Sequence, residues 1–561
     1  MTAPWLQHYD DGVPHKIDFV DQPLDAFLRS AAREFPDRDA LIFMNGRLTF
    51  RALDDAVDRF ATAIVRLGAT TGTRVAIQLP NLPQFVIAYY GTLRAGAVAT
   101  PTNPLYTSGE IEHQWKDAGA EIAVVADFVF ASRVAPIRNR LPVREYIVAA
   151  IPEYLRFPLN VLAPFRLRRQ SPPLSAPIPN EPVIHRFRRL VDATAADPPS
   201  PPIRMDDPCT LLYTGGTTGV SKGATLTHRN LSYNAQQLIA WTAGLERGGE
   251  VVLAMLPLFH SYGLTVAMNL GIGIAATQVL IPNPRDIPRI LKAISKHRVT
   301  LAPAVPASYS AMVQHPNLAK YDLSSVKVCN SGSAPLPVEI LERFEQITGG
   351  KITEGFGLTE TSPVTHSNPV FGLRKPGSIG TPLPSTEARI VNAEDGMTAM
   401  PTNEVGELIL RGPQVMRGYW NRPEADAEML RDGWLYTGDL ARMDEDGFFF
   451  IVGRKKDMII CSGFNVYPDE VDRMLMSHPA VLEAGTIGIP DPKRGETVKS
   501  FVVLRPGQTA TEEELMAFCR EGLAGYKVPR AIEFRVELPR SGVLKILRRQ
   551  LRAEELAKHG T

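Results

Sequence analysis

The sequence has few cysteines and almost no net charge. Its 561 residues include only Cys209, Cys329, Cys461 and Cys519, and 61 basic side chains stand against 60 acidic ones. The cysteines lack the spacing of a zinc site or a disulfide framework, which favours a reducing, cytoplasmic compartment. A net charge of +1 gives no overall field that would attract nucleic acid. Any phosphate binding must therefore come from a local site.

Segments that would direct the chain into or across a membrane are also missing. The first 19 residues contain no basic stretch followed by an apolar one, so we expect no signal peptide. No uncharged apolar run is long enough to span a bilayer. A chain of 561 residues exceeds the size of one hydrophobic core, which predicts two to four domains.

Apolar runs alternate with helical spacing through the first part of the chain. Residues 74–79, 97–101 and 121–126 have the short apolar pattern of buried strands. Thr107 and Glu110 have the spacing of a capping box at the start of a helix between two of them. This alternation is typical of an α/β fold with a largely parallel sheet.

Residues 150–205 interrupt this alternation with many prolines and arginines. Between residues 151 and 191, seven arginines stand against two acids, Glu153 and Glu181, with apolar residues among them. One hypothesis is an interfacial segment that collects an amphiphilic substrate from the inner face of a membrane. The alternative is a surface excursion packed on its own domain. We prefer the second, because the density of proline argues against one clean amphipathic helix.

A loop rich in glycine and threonine follows an apolar run. Residues 213–223 include four glycines, three threonines, Ser221 and Lys222. Glycine lets backbone N–H groups turn toward an anion, and the lysine adds a mobile positive charge. The common P-loop has a different pattern, because its lysine follows glycine and precedes serine or threonine. The loop therefore predicts a phosphate site, the alternative being a flexible surface turn.

Five segments, in this order, resemble the motifs of the adenylate-forming acyl-CoA synthetase superfamily. This superfamily also includes luciferases and the adenylation domains of peptide synthetases. The resemblance covers about residues 25 to 555, and residues 462–468 resemble the bacterial medium- and long-chain fatty-acid–CoA ligases. It implies that a carboxylate attacks the α-phosphate of Mg-ATP, and that the thiol of coenzyme A then displaces AMP. The segments are 213–223, 355–361, 436–439, 453–457 and 539–549.

The resemblance implies an α/β architecture of two unequal domains. A large N-terminal domain, residues 1–454, would combine parallel and mixed sheets, flanking helices and a β subdomain. A small mobile α+β domain, residues 455–561, would rotate about a hinge at Lys456. Leu544 replaces the glycine that is usual before the family's catalytic lysine, and leucine restricts the backbone there.

The resemblance also implies four catalytic side chains. Lys545 would reach the α-phosphate and the attacking carboxylate during adenylation. Thr214 and Glu360 would hold Mg²⁺, since a hard cation prefers oxygen ligands. His260 would border the acyl tunnel, the alternative being a core histidine that only packs.

By the same resemblance, the nucleotide site draws on every motif. Phe356 stands where an aromatic ring stacks on adenine, and Asp439 and Arg454 stand where ribose hydroxyls are bound. Thr359 stands where the α-phosphate is contacted. The residues expected to bind nucleotide or coenzyme are Thr214, Gly215, Gly216, Thr217, Thr218, Gly219, Lys222, Gly332, Ser333, Ala334, Pro335, Glu354, Gly355, Phe356, Gly357, Thr359, Asp439, Arg454, Lys456, Gly463, Phe464 and Lys545.

ATP, Mg²⁺, coenzyme A and a carboxylic acid are the ligands that the resemblance implies. Lys527 is a further candidate for the coenzyme A channel, beside Gly463 and Phe464. We expect no nucleic-acid partner. A homodimer and weak peripheral membrane contact through residues 150–190 are hypotheses at this point.

The identity of the acid stays open. Residues 260–264, 302–306 and 332–334 are mostly small or apolar and favour a medium- or long-chain fatty acid. Alternatives are an aryl-propenoate of the 4-coumarate type, a dicarboxylate, or an acyl-AMP ligase that loads a carrier protein. A peptide-synthetase domain is disfavoured because no carrier domain follows. A luciferase-like oxygenase and a scaffold that only binds nucleotide are the remaining alternatives.

Overall fold

The computed structural model describes residues 3–214, 221–461, 464–491, 494–540 and 546–559. Its strands are β1 (Asp39–Phe43), β2 (Gly46–Thr49), β3 (Arg74–Gln78), β4 (Val98–Pro101), β5 (Ile122–Ala126), β6 (Glu145–Ala149), β7 (Ile184–Arg186), β8 (Pro208–Thr214), β9 (Lys222–Thr227), β10 (Val251–Ala254), β11 (Thr277–Leu280), β12 (Val328–Ser331), β13 (Lys351–Gly357), β14 (Val364–Ser367), β15 (Thr381–Pro382), β16 (Glu387–Val391), β17 (Gly406–Arg411), β18 (Gly418–Tyr419), β19 (Leu430–Arg431), β20 (Trp434–Met443), β21 (Phe449–Arg454), β22 (Ile459–Cys461), β23 (Phe464–Val466), β24 (Val481–Asp491), β25 (Gly495–Leu504) and β26 (Ala531–Phe534).

Its α-helices lie mainly between these strands. They are α1 (Ala26–Glu34), α2 (Phe50–Arg66), α3 (Pro83–Arg94), α4 (Ser108–Ala118), α5 (Asp127–Val129), α6 (Leu159–Arg168), α7 (Phe187–Ala193), α8 (His228–Trp241), α9 (Leu270–Gly273), α10 (Ile287–His297), α11 (Pro306–Val313), α12 (Val338–Thr348), α13 (Pro423–Met429), α14 (Pro468–Met476), α15 (Glu512–Gly522) and α16 (Arg548–His559).

The largest sheet has eight strands in the order β18-β9-β8-β4-β3-β5-β6-β7. β3 lies between β4 and β5 and is parallel to both. Helices such as α3 and α4 make the crossovers that parallel strands require. The predicted capping box is confirmed, since Thr107 and Glu110 bond reciprocally at the start of α4. The α/β class expected from the alternating pattern is confirmed.

Four smaller sheets complete the described part of the chain. Three belong to the large N-terminal domain and have the orders β10-β11-β1-β2, β12-β13-β14-β15 and β16-β17-β20-β19, with β21 beside β20. The fourth has the order β23-β22-β25-β24, with β26 beside β25, and encloses its own apolar core. It forms the small C-terminal domain. A 3₁₀-helix, Lys455–Asp457, leads from β21 to β22, while a boundary and hinge at Lys456 stay a prediction.

The segment rich in proline and arginine does contain a helix, α6, with Pro164 inside it. The proline content argued only against one clean amphipathic helix, and α6, which has no fully buried residue, does not contradict that prediction. Pro164 lacks the N–H that would reach the carbonyl of Asn160, but one missing bond does not end the helix.

All four cysteines are buried, and none is in a disulfide. Burial raises the pKa of the Cys209 and Cys329 thiols to about 12, and that of Cys519 to about 11. Among the described residues, no helix is long and apolar enough to cross a membrane.

A buried arginine joins the first three helices. The Arg94 side chain at the end of α3 is fully buried. Its Nε lies 3.3 Å from Asp25 Oδ2, and its Nη2 lies 2.7 Å from Asp54 Oδ1. Nη1 donates to Asp58, on α2 like Asp54. Because each charge has a partner, the cluster can be buried without a large desolvation penalty.

We expect Arg94→Leu to lower the free energy of unfolding by about 3–5 kcal/mol, because three carboxylates would lose their buried partner. Arg51→Leu is the control, since its pair with Asp37 is largely exposed and should change stability by about 1 kcal/mol or less. Chemical denaturation of both variants measures the difference. Equal stabilities of the two variants would contradict the role given to Arg94.

Candidate active site

The predicted phosphate loop connects two antiparallel strands. The β8–β9 ladder runs as far as the pair Thr214 and Lys222. Ser221 Oγ donates to the carbonyl oxygen of Thr214 at 2.5 Å. The ends of the loop are thus held together by the sheet. Five of the predicted residues lie outside the described part of the chain: Gly215, Gly216, Thr217, Thr218 and Gly219.

Tyr419 links this hairpin to the Glu360 motif. It lies on β18, which pairs with β9 beside the loop. Its hydroxyl donates to Glu360 Oε1 at 2.6 Å, and Lys222 Nζ lies 5.3 Å from the centre of its ring. The backbone N–H of Met416 donates to the carbonyl oxygen of Glu360 at 2.8 Å. The side chain and the backbone of Glu360 are therefore both fixed by the segment that carries Tyr419.

Tyr419 remains a hydrogen-bond donor across the whole physiological pH range. It is 7% exposed. Burial, and then the negative charge of Glu360, raise the pKa of its phenol well above the usual range. Sequence reasoning missed Tyr419, because it lies 59 residues from Glu360 and outside all five motifs.

Asp439 and Arg454 face each other on neighbouring strands. They are paired in the β20–β21 ladder, and Arg454 Nε lies 2.9 Å from Asp439 Oδ1. Asp439 above all, and Glu360 more weakly, raise the pKa of the Arg454 guanidinium. Burial lowers the pKa of Lys456, and the positive charge of Arg454 acts in the same direction. The two motifs thus share one electrostatic environment with Glu360.

Glu354 holds the backbone next to the loop at residues 332–335, which was predicted to lie on the adenine side of the site. Its Oε1 accepts from the backbone N–H of Leu336 at 3.2 Å, and its Oε2 accepts from that of Gly377 at 2.8 Å. Burial raises the pKa of this carboxyl group. Both oxygens are engaged with the backbone, so we interpret Glu354 as a residue that positions the loop rather than one that contacts a ligand.

The loop that Glu354 supports contains Gly332, Ser333, Ala334 and Pro335. A Cβ added at Gly332 would lie 3.2 Å from the ring of Tyr262, so glycine allows the close approach there. Ser333 has a φ of +74°, a left-handed conformation that few non-glycine residues adopt. The loop thereby places Ser333 at the wall of the cavity described next.

An apolar cavity lies beside this loop. The empty space between its walls is about 390 Å³ with open solvent included, and only about 20 Å³ of it admits a water molecule, so the cavity is narrow. It brings together residues from all three stretches that the sequence predicted to line an acyl pocket: His260, Tyr262 and Gly263 from the first, Val305 from the second and Ser333 from the third. The lining residues are Met255, Leu256, Pro257, His260, Tyr262, Gly263, Pro284, Val305, Ser308 and Ser333.

The cavity adjoins the Glu360 motif. Ser261 Oγ lies 3.5 Å from Thr359 Oγ1, and Thr265 Oγ1 donates to the carbonyl oxygen of Ser362 at 2.6 Å. His260 Nδ1 accepts from the backbone N–H of Tyr262 at 3.3 Å. An acid that enters at this cavity could therefore present its carboxylate near Thr359.

Phe356 lies on β13, opposite His366 of β14, and their rings are 6.2 Å apart. Gly355 and Gly357 flank it on the same strand. Burial lowers the pKa of His366 to about 3, so that ring is neutral. A Cβ at Gly357 would lie 1.9 Å from the carbonyl oxygen of Pro363. Only glycine therefore fits at this position without a shift of the backbone.

The structure describes only some of the predicted site residues of the small domain. Gly463 and Lys545 lie outside the described residues. Phe464 is exposed and stacks on Tyr526, with 4.7 Å between ring centres. Lys527 Nζ lies 2.8 Å from Glu470 Oε1. These contacts are all within the small domain.

Comparison with known proteins gives one family match in the large domain and one in the small domain. The model of the AMP-binding enzyme family matches residues 28–420, and that of the AMP-binding enzyme C-terminal domain matches residues 470–545. The chain belongs to the AMP-binding enzyme family. The family and the ATP-dependent formation of an adenylate, both expected from the motifs, are confirmed.

Three curated relatives of this AMP-binding enzyme extend over almost its whole length. A long-chain-fatty-acid–CoA ligase of Bacillus subtilis (strain 168) is 46% identical and covers 99% of both chains. One from Escherichia coli O6:H1 is 40% identical, covering 100% of this chain and 99% of its own. A feruloyl-CoA synthase of an Amycolatopsis species is 35% identical, covering 93% and 96%.

Solved structures share the fold. The anthranilate–CoA ligase AuaEII with anthranoyl-AMP has a TM-score of 0.85 and 27% identity, over 96% of this chain and 98% of that one. ATP-bound MatB from Rhodopseudomonas palustris has a TM-score of 0.82 and 29% identity, over 96% and 100%.

We expect Tyr419→Phe to slow acid-dependent ATP–pyrophosphate exchange by about 10- to 100-fold, the usual worth of a hydrogen bond to a charged group. The variant keeps the ring beside Lys222 and removes only the O–H that holds Glu360. Tyr233→Phe is the matched control, because Tyr233 also donates to a carboxylate, Asp21, at the surface. Exchange at the wild-type rate in Tyr419→Phe would show that Glu360 needs no such support.

Proposed function

We propose that this AMP-binding enzyme converts a medium- or long-chain fatty acid to its acyl-CoA through an acyl-adenylate, with release of AMP and pyrophosphate. The observation that carries the proposal is the apolar cavity that adjoins Thr359 of the Glu360 motif. The full-length similarity to long-chain-fatty-acid–CoA ligases supports the same substrate. Adenylation is needed because a free carboxylate has no good leaving group.

Thr214 and Lys222 would hold the phosphates of ATP at the end of the β8–β9 hairpin. Thr214 and Glu360 would hold Mg²⁺, and the fit is good because a hydroxyl and a carboxylate are the oxygen donors that this cation prefers. When bound, Mg²⁺ would neutralise phosphate charge. Tyr419 keeps Glu360 in place, so that its carboxylate does not have to be ordered when ATP binds.

Asp439 would accept the ribose hydroxyls, with Arg454 holding its carboxylate in position. Phe356 would stack on adenine, and Thr359 would contact the α-phosphate. His260 would stand at the mouth of the acyl cavity. These roles position the carboxylate and the α-phosphate, which is most of what phosphoryl-type catalysis requires.

The small domain would complete the site in two arrangements. A rotation at Lys456 would first bring Lys545 to the α-phosphate, and would then admit coenzyme A beside Gly463, Phe464 and Lys527. A single 3₁₀-helix joins β21 to β22, which suits such a hinge.

The proposal also includes partners and location. The enzyme would act in the cytoplasm as a homodimer, with peripheral membrane contact through residues 150–190. The alternative activity is that of an acyl-AMP ligase, which would transfer the acyl group to a carrier protein instead of coenzyme A.

Two alternative acids differ in how they fit the cavity. A dicarboxylate is disfavoured, because no lysine or arginine is among the described residues that line the cavity. An aryl-propenoate stays a candidate, because a feruloyl-CoA synthase is one of the relatives.

A panel of acids from C4 to C18, with pimelate and 4-coumarate, tests the substrate. We expect kcat/KM to rise roughly tenfold for every two methylene groups until the cavity is full, since each buried methylene contributes about 0.8 kcal/mol. Coenzyme A–dependent AMP release is the measurement. A maximum for coumarate or pimelate would overturn the fatty-acid proposal. Steady AMP release without coenzyme A would show that coenzyme A is not the acceptor of the acyl group.

Lys545→Ala tests the two-arrangement hypothesis. We expect the variant to lose acid-dependent ATP–pyrophosphate exchange while largely keeping thioester formation from preformed acyl-adenylate, because the lysine acts only in adenylation. Lys558→Ala is the control, since that lysine pairs with Glu533 at the surface. Equal loss of both half-reactions in Lys545→Ala would contradict domain rotation.

A further inference from the structure

The strand β20 bulges where it carries Asp439. In the ladder between β17 and β20, the single residue Leu408 is opposite the three residues 437–439. A bulge of this kind bends the strand and re-aims a side chain, and bulges are common beside functional sites. Gly438 at its centre has a φ of +68°, a left-handed conformation that glycine adopts without steric cost. The bulge therefore decides the direction in which Asp439 points.

Polar contacts with β17 fix the shape of this bulge. Thr437 Oγ1 donates to the carbonyl oxygen of Leu408 at 2.7 Å and accepts from the backbone N–H of Asp439 at 3.0 Å. The backbone N–H of Gly438 donates to Glu407 Oε1 at 3.1 Å. The carboxylate of Glu407 thereby satisfies a backbone donor that the bulge takes out of the ladder.

The second oxygen of this carboxylate is bound to the linker between the two domains. Lys455 Nζ lies 3.0 Å from Glu407 Oε2. Lys455 begins the 3₁₀-helix that leads from β21 to β22, and it precedes the predicted hinge residue, Lys456. Glu407 is buried, whereas the side chain of Lys455 is half-exposed. The carboxylate is therefore a fixed point, while the lysine can move with the linker.

Lys455 and Lys456 share one short 3₁₀-helix, residues 455–457. A rotation of the backbone at Lys456 would break up this single turn, because so short a helix has few hydrogen bonds to preserve it. Lys455 would then lose the position from which it reaches Glu407. Arg454, one residue earlier, is held in the β20–β21 ladder and keeps its place. Lys455 is thus the residue through which the sheet responds to the linker.

We propose that Glu407 is a positioning residue that couples the bulge presenting Asp439 to the linker that carries the hinge. One oxygen keeps the bulge in the shape that receives ribose, and the other is engaged only while the linker keeps its turn. Because both contacts belong to one carboxylate, nucleotide bound at the bulge and the arrangement of the linker influence each other reciprocally. The inference rests on the proposed roles of Asp439 and Lys456 and is independent of the acid.

Two replacements of Glu407 separate its two contacts. Glu407→Gln keeps an oxygen that can accept from the N–H of Gly438 but removes the charge that attracts Lys455, whereas Glu407→Met removes both contacts. We expect Glu407→Met to raise the dissociation constant of Mg-ATP about tenfold, the effect of one hydrogen bond to a charged group, and Glu407→Gln to raise it at most about threefold. Isothermal titration of the full chain with Mg-ATP, without any acid, is the measurement.

Glu387→Met is the matched control for these variants. Glu387 on β16 pairs with Arg411 of β17 in the same sheet, but both side chains are about half exposed and lie at the surface. Loss of this pair should leave the dissociation constant of Mg-ATP within about twofold of the wild-type value. Thermal melting shows whether each variant is folded. If Glu407→Met does not fold, the exchange measurement on Glu407→Gln decides the proposal.

Hydrogen exchange of backbone amides tests the connection to the linker. We expect Mg-ATP to slow exchange in two segments of the wild type, the bulge at residues 434–443 and the linker at residues 453–460. In Glu407→Gln the bulge should keep this protection, and the linker should lose most of it. Lys455→Met should give the same result, because it removes the other member of the pair. A merely structural role would change exchange equally with and without Mg-ATP.

The outcomes that would overturn the proposal are distinct. A dissociation constant of Mg-ATP in Glu407→Met equal to that in Glu387→Met would remove the role at the bulge. Protection of the linker in Glu407→Gln equal to that in the wild type would remove the coupling. Because Mg-ATP is the only ligand used, failure of the fatty-acid proposal would appear separately, as a wild type that binds Mg-ATP but releases no AMP with decanoate and coenzyme A.

Discussion

The hydrogen bond between Tyr419 and Glu360 joins parts of the candidate site that are far apart in the sequence. Tyr419 belongs to a short strand that pairs with β9 beside Lys222. Glu360 follows the strand that carries Phe356, and Thr359 beside it reaches Ser261 at the acyl cavity. The phosphate hairpin, the magnesium candidate and the cavity are therefore connected through Tyr419, whose bond to Glu360 acts together with the backbone bond from Met416 to Glu360 and the pairing of β18 with β9.

The candidate site also solves an electrostatic problem. It places Glu354, Glu360 and Asp439 close to where an anionic nucleotide is proposed to bind. Each carboxylate has a separate partner: two backbone N–H groups, a tyrosine hydroxyl and an arginine, respectively. Because these partners are fixed by strands and loops, the negative charges can be directed at specific groups without repelling the whole ligand.

Local patterns made part of this arrangement predictable. The loop at residues 213–223 was recognised from its glycine and threonine content, and Asp439 and Arg454 from their resemblance to family motifs. That these two side chains face each other across β20 and β21 was not predicted. Tyr419 could not be found in this way, since its role depends on the pairing of β18 with β9. Met255, Pro284 and Ser308 join the cavity only through packing between distant elements. The bounds of α6 could not be read from the sequence, because Pro164 interrupts its apolar spacing.

The burial of all four cysteines has a consequence for chemical self-protection. An acyl-adenylate is an electrophile that acylates any accessible thiolate. Coenzyme A is the intended thiol in the proposed reaction, and a reactive cysteine at the surface would compete with it and leave the enzyme modified. With every thiol buried, and three of them held protonated by a raised pKa, the described protein offers its own intermediate no such nucleophile.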